Sequence, residues 1–139
     1  MMDPDRIPDV ADNELLARFI VNGNEKRPDG NVSPRLFMPY KWVDLSVNRH
    51  REATPEETWQ VGFDVAAQRS KQLYGLANVR AGKCRIGNLD VVPAPILPAN
   101  PNHANITGYP PAKEDQMALA VEPAASIEGH WIEAPRKDC

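Results

Sequence analysis

An α+β fold is predicted by two signals that stand a few residues apart. In Val43-Asp44-Leu45-Ser46-Val47-Asn48 apolar and polar residues alternate strictly, which in a strand places Val43, Leu45 and Val47 on a buried face and Asp44, Ser46 and Asn48 on the other. Thr54-Pro55-Glu56-Glu57 then reads as a helix start. The Thr54 hydroxyl can accept from the Glu57 N–H, Glu57 can reach back to the Thr54 N–H, and Pro55 loses no hydrogen bond at the first helical position. Trp59, Phe63 and Ala66 or Ala67 recur at helical spacing, so a helix over 55–70 is expected to cover the apolar side of the strand. A third signal concerns the connections: six prolines fall within residues 93–111, too many for a helix or a central strand, which predicts a long proline-rich loop.

The remaining elements follow in order. Residues 1–11, with Asp3, Pro4, Asp5, Pro8 and Asp9, have little to bury and read as a flexible acidic arm. Asp12 would cap a helix over 12–22 whose stripe is Leu15, Leu16, Phe19 and Ile20, ended by Asn22-Gly23. Pro28-Asp29-Gly30 marks a reversal, and Leu36-Phe37-Met38 is a short strand or a plug. Leu73 to Ile86 reads as extended and turns, through Gly82 or Gly87, into Leu89-Asp90-Val91-Val92. His103 to Gly108 alternates again, with Ala104 and Ile106 inward. A helix over 113–122 carries Met117, Ala120 and Val121 on its apolar side and is expected to stop at Pro123. Trp131 and Ile132 are too apolar for a free end and are expected to dock as a last strand. One domain over 12–134 results, with a mostly antiparallel sheet of about three to five strands, about three helices, and a tail at 135–139.

Composition narrows the function classes. A chain of 139 residues, 42% apolar and 25% charged, suits one globular core. The acidic opening and the lack of a long apolar run predict a cytoplasmic protein with no membrane span. Cys84 and Cys139 form no metal-ligand or redox spacing. No phosphate loop, dinucleotide fingerprint, G-x-S-x-G or H-E-x-x-H occurs, so neither cofactor nor metal is expected. Net charge is −3 over residues 1–32, +4 over 33–87 and −4 over 88–139. The basic segment 49–85 makes nucleic acid an unlikely but admissible partner.

Candidate chemistry rests on strand parity. Continued outward, the central strand presents Ser46, Asn48 and His50, and the later one presents His103, Asn105 and Thr107. If these faces coincide, His50 and His103 are candidate acid–base catalysts on a phosphodiester, with Arg49 or Arg51 holding the phosphate and Ser46, Asn48 and Asn105 hydrogen bonding. His50-Arg51-Glu52 and His103-Ala104-Asn105 share no motif. The proline-rich loop, with Tyr40, Trp42, Tyr109 and Trp131 near strand ends, could instead rim a surface for another protein. The sequence thus favours a small accessory or binding protein that presents a surface to a macromolecular partner, with a metal-independent phosphoesterase or nucleotide-processing enzyme as the alternative.

Overall fold

The computed structural model describes residues 7–135. Its elements, in chain order, are strand β1 (Leu15–Ile20), strand β2 (Leu45–Arg49), helix α1 (Pro55–Gln68), strand β3 (Gly75–Arg80), strands β4 (Asp90–Pro93) and β5 (His103–Thr107), helix α2 (Lys113–Ala125) and strand β6 (Ile132–Glu133). Short 3₁₀ turns lie at Gly23–Glu25, Pro34–Phe37 and Ala81–Lys83. All six strands join one antiparallel sheet in the order β4-β5-β2-β1-β3-β6. The α+β class therefore holds, with a wider sheet than expected and, among the described residues, two α-helices instead of about three.

The missing helix is β1. Leu15, Leu16, Phe19 and Ile20 fit a helical stripe, yet the segment pairs with both β2 and β3. A strand in the middle of a sheet buries both faces, so its residues form a nearly continuous apolar run and the alternation that identifies an outer strand disappears. Leu16 and Ile20 enter one core and Ala17 and Phe19 the other.

The two cores lie on opposite faces of the sheet. Leu45, Val47, Val79, Val91 and Ile106 pack with Leu36 and Phe37 of the 3₁₀ turn and with Ala120 and Ala124 of α2. Phe19 and Leu76 pack with Ala66 of α1, flanked by Trp59, Val61 and Phe63. Helix α1 thus covers the face opposite to Leu45 and Val47, contrary to the expectation from sequence. β2 and β3 are both antiparallel to β1, hence parallel to each other, and α1 is the crossover between them. Such a connection must pass over one face of the intervening strand, and it passes over Phe19.

Three smaller corrections concern ends. Val43 lies before β2 and is exposed. α2 continues through Pro123 to Ala125: the proline is buried with Gln116, Ala120 and Ala124, and Val121 faces solvent. Residues 8–10 of the expected flexible arm are tied down, with Val10 buried and the carbonyls of Pro8, Asp9 and Val10 accepting from Arg49 and Arg85. Residues 1–6 of that arm and 136–139 of the tail lie outside the described residues.

The expected hairpin from 73–86 into 89–92 does not form: β3 ends at Arg80, pairs with β1 and β6, and the chain crosses through the turn Ala81–Lys83 to β4, which pairs with β5 at the far edge of the sheet. The start of α1 follows the pattern. Thr54 Oγ1 accepts from the Glu57 N–H at 3.2 Å and the Thr54 N–H donates to Glu57 Oε1 at 2.9 Å, a complete capping box. These bonds hold the Glu57 carboxyl below the usual range. β6 pairs with Gly75 and Leu76, where a side chain on Gly75 would meet the Ile132 carbonyl.

Candidate functional site

The register between β2 and β5 pairs Ser46 with Asn105 and Asn48 with His103. These four therefore share the face on which α1 lies, as their parity requires. Ser46, Asn48 and His103 border a void of about 30 Å³ together with Arg18 and Arg69. Beyond Asn48 the loop between β4 and β5 is stitched to the end of β2: Asn100 Nδ2 donates to Asn48 Oδ1, and Asn102 Nδ2 to the Arg51 carbonyl, both at 2.8 Å. Ile96 and Asn100 close this proline-rich loop by exchanging backbone hydrogen bonds, and Ile96 and Leu97 stand exposed at its tip.

The two imidazoles engage different parts of the sheet. His50 Nε2 meets Asn78 Oδ1 of β3 at 2.7 Å, while His103 Nδ1 meets the Ala94 carbonyl, just beyond β4, at 2.8 Å. Each ring leans toward an opposite end of the strand order. Because a carbonyl oxygen only accepts, His103 Nδ1 is the donor in this contact, and in the neutral imidazole Nε2 is then the lone-pair nitrogen.

Arg49 is 1% exposed. Its guanidinium grips both carboxylate oxygens of Glu14, with Nη2 to Oε1 at 2.8 Å, and donates to Pro8 and Asp9. Strand parity explains this: Arg49 follows Leu45 and Val47 on the inward set, and Glu14 supplies the counter-charge that lets it stay there. Arg51 Nη1 donates to Asn102 Oδ1 at 3.2 Å, and Nη2 lies 3.7 Å from Glu52. Tyr109 is a core residue whose hydroxyl donates to the Phe37 carbonyl at 2.7 Å, and burial pushes its pKa up. It is not part of a surface rim.

Another cavity is formed largely by side chains that sequence reading did not single out, joined by Ser46, Tyr40 and Trp42. About 380 Å³ in volume, it opens between the 3₁₀ turn Pro34–Phe37, the approach to β2 and the end of α1. Its wall carries Arg18, Arg35, Arg69 and Lys113 against Glu25 and Asp44, with Ser46, Asn22, Tyr40 and Trp42. Trp42 is 70% exposed and Tyr40 49%. The Trp42 backbone is nonetheless fixed, since the buried Gln116 of α2 donates from Nε2 to the carbonyls of Trp42 and Pro110 at 2.9 and 2.8 Å. Lys113 Nζ lies 5.7 Å from the Tyr40 ring centre, within cation–π range.

Arg18 is the innermost cation. Nε donates to the Leu36 carbonyl at 2.8 Å and Nη1 to the Ser46 carbonyl at 3.2 Å. Burial lowers its pKa; Glu25 opposes that shift and Arg69 adds to it. Burial in turn raises the Glu25 carboxyl, against the attraction of Arg18 and the hydrogen bond from Asn22. The four cations come from positions 18, 35, 69 and 113 with no common spacing, so only the fold assembles them. Tyr40 and Trp42, as aromatics after a proline, and Ser46, through strand parity, signalled this region in the sequence.

A second hollow, of about 530 Å³, lies between the end of α1 and β6. Its Lys26 lies 5.4 and 5.6 Å from the Trp131 and Tyr74 ring centres, within cation–π range. Among the described residues no group of three His, Cys, Asp or Glu is placed to hold a metal ion, and no helix is long and apolar enough to cross a membrane. No family description, curated protein or solved structure matches the chain.

Proposed function

We propose that the protein is a small cytoplasmic accessory or binding protein that presents the mouth of the basic cavity to an acidic surface of another protein. The observation that carries this reading is Trp42, 70% exposed on a backbone fixed by Gln116 and set beside Arg18, Arg35, Arg69 and Lys113. Aromatic and arginine side chains dominate the energetics of protein interfaces, because they bring large contact area and directional donors at small entropic cost. Anchoring the backbone that carries the indole lowers that cost further.

Capture from a native lysate with the full chain tests it. One and the same protein should be retained by the wild type and lost with Trp42→Ala and with Arg69→Glu. A version with residues 95–99 replaced by a short glycine–serine turn should still retain it. Loss with the loop version alone would move the binding surface to Ile96 and Leu97 and defeat the assignment to the cavity.

The phosphoesterase reading draws on His103, which borders the small void with Arg18 and Arg69 and keeps Nε2 as an acceptor. Such an enzyme would hydrolyse bis(p-nitrophenyl) phosphate in the presence of a chelator and would lose at least about a hundredfold in rate with His103→Ala. Equal rates for the two proteins would remove the reading.

A further inference from the structure

Several arginines outside the cavity are balanced by carboxylates. Arg80 meets Glu128 at 2.8 Å, Arg85 meets Asp12 and Asp90 at 2.6 and 2.8 Å, and Arg49 is clasped by Glu14. Among the described residues, Arg18, Arg35, Arg69 and Lys113 make no ion pair with a carboxylate. Arg18 directs two of its five N–H donors at neutral carbonyls, which satisfy hydrogen bonds but carry no opposing charge, and the carboxylate that attracts it is Glu25. A second guanidinium, Arg69, faces the same space and repels Arg18. A partly buried cation with a second, exposed cation beside it is a costly arrangement that an anion between them relieves.

The size of the imbalance indicates which anion. Four cations stand against two carboxylates in the wall, an excess of two positive charges, and the buried Glu25 is a reluctant counter-charge because burial favours its neutral form. A carboxylate ligand would cancel about half of that excess, whereas a phosphate monoester carries about −1.5 to −2 at neutral pH and offers three acceptor oxygens. Guanidinium groups match those oxygens in pairs. A space of about 380 Å³ also exceeds what one phosphate group fills, so the group that bears the phosphate can enter beside Trp42.

We propose that the cavity binds a phosphate monoester, with Arg18 and Arg69 as its direct donors and Arg35 and Lys113 supplying further positive charge. The inference deepens the binding-protein reading: the acidic feature of the partner is a phosphorylated side chain.

Calorimetric titration of the full chain with inorganic phosphate, phosphotyrosine, adenosine monophosphate and acetate tests the site. The phosphate monoesters should bind at least about tenfold more tightly than acetate and lose affinity between about 50 and 200 mM salt. The exposed substitutions Arg69→Gln and Lys113→Gln should each weaken them several-fold, or more, without moving the melting midpoint, which a folding defect would do. Preference for phosphotyrosine over adenosine monophosphate identifies a phosphoprotein as the source, and the reverse preference a free nucleotide. Equal binding of acetate, or affinities unchanged in both variants, overturns the proposal. Repeating the lysate capture after phosphatase treatment separates the two readings. A partner still captured by the wild type and still lost with Arg69→Glu would leave the binding protein standing without its phosphate.

Discussion

Arg49 is where charge and parity gave opposite readings, and parity prevailed. It follows Leu45 and Val47 on the inward set of β2, but its charge made it look like a surface ligand. In the fold it is buried with Glu14 and gathers the Pro8 and Asp9 carbonyls. Arg49→Ala should therefore cost about 3–5 kcal/mol, since it leaves Glu14 without its partner, and a denaturation midpoint near that of the wild type would contradict this role. Thr54→Ala should cost about 1 kcal/mol through the lost cap bond, visible as a lower melting midpoint with an unchanged far-UV spectrum. Glu25 gives a prediction of the opposite sign. Its folded-state pKa is raised above the unfolded value of 4.5, chiefly by burial, so the native state holds the proton more tightly and stability falls as pH rises from about 4.5 through the higher native value. Glu25→Gln should abolish that part of the decline and raise the melting midpoint at neutral pH. A midpoint lower than wild type at pH 7 would show that attraction to Arg18 outweighs the cost of burial.

At the scale of elements, legibility followed how many faces each segment buries. β2 and β5 present one apolar and one mixed face, and their alternation located Ala104, Ile106, Leu45 and Val47 correctly. β1 buries both, so its pattern is shared by a strand and a helix, and the turn residues Asn22 and Gly23 suit either ending. The start of α1 was readable because capping is chemistry within four residues. The face it covers was not readable, because that depends on β1 lying between β2 and β3. Helix α1 approaches the sheet through Gly62, where an added Cβ would fall 2.7 Å from the Phe19 ring. Gly62→Ala improves helix propensity by about 1 kcal/mol, yet overpacking costs about 1–3 kcal/mol. The substitution should destabilise on balance, and a protein more stable than wild type in chemical denaturation would mean that helix and sheet can separate freely. Trp59 and Phe63, read from sequence as core, only flank this contact. Their truncation should cost less than the about 3–5 kcal/mol of a fully buried aromatic.

Across the whole molecule, the charge segregation along the chain is largely folded away. The acidic ends supply Asp12, Glu14, Asp90 and Glu128, and the basic middle supplies Arg49, Arg80 and Arg85, which meet them as ion pairs. A basic segment that is prominent in sequence is thus neutralised in part, at Arg49, Arg80 and Arg85, and nucleic acid should gain little from those positions. Binding to a generic single- or double-stranded polymer at about 150 mM salt should be weaker than the micromolar range typical of nonspecific contacts, because a phosphate contact at Arg80 or Arg85 must displace a carboxylate already in place. The converse is the sharper test. Asp12→Asn, Asp90→Asn and Glu128→Gln together remove the carboxylates opposite Arg80 and Arg85. These pairs are largely exposed, so each should cost only about 0–1 kcal/mol of stability. The freed arginines should create weak binding that disappears as salt is raised. A mobility-shift series with wild type and the triple variant checks this. Tight, salt-sensitive binding already present in the wild type, and lost on charge reversal at Arg80 and Arg85, would mean that the ion pairs open in solution and that the basic segment is a working surface.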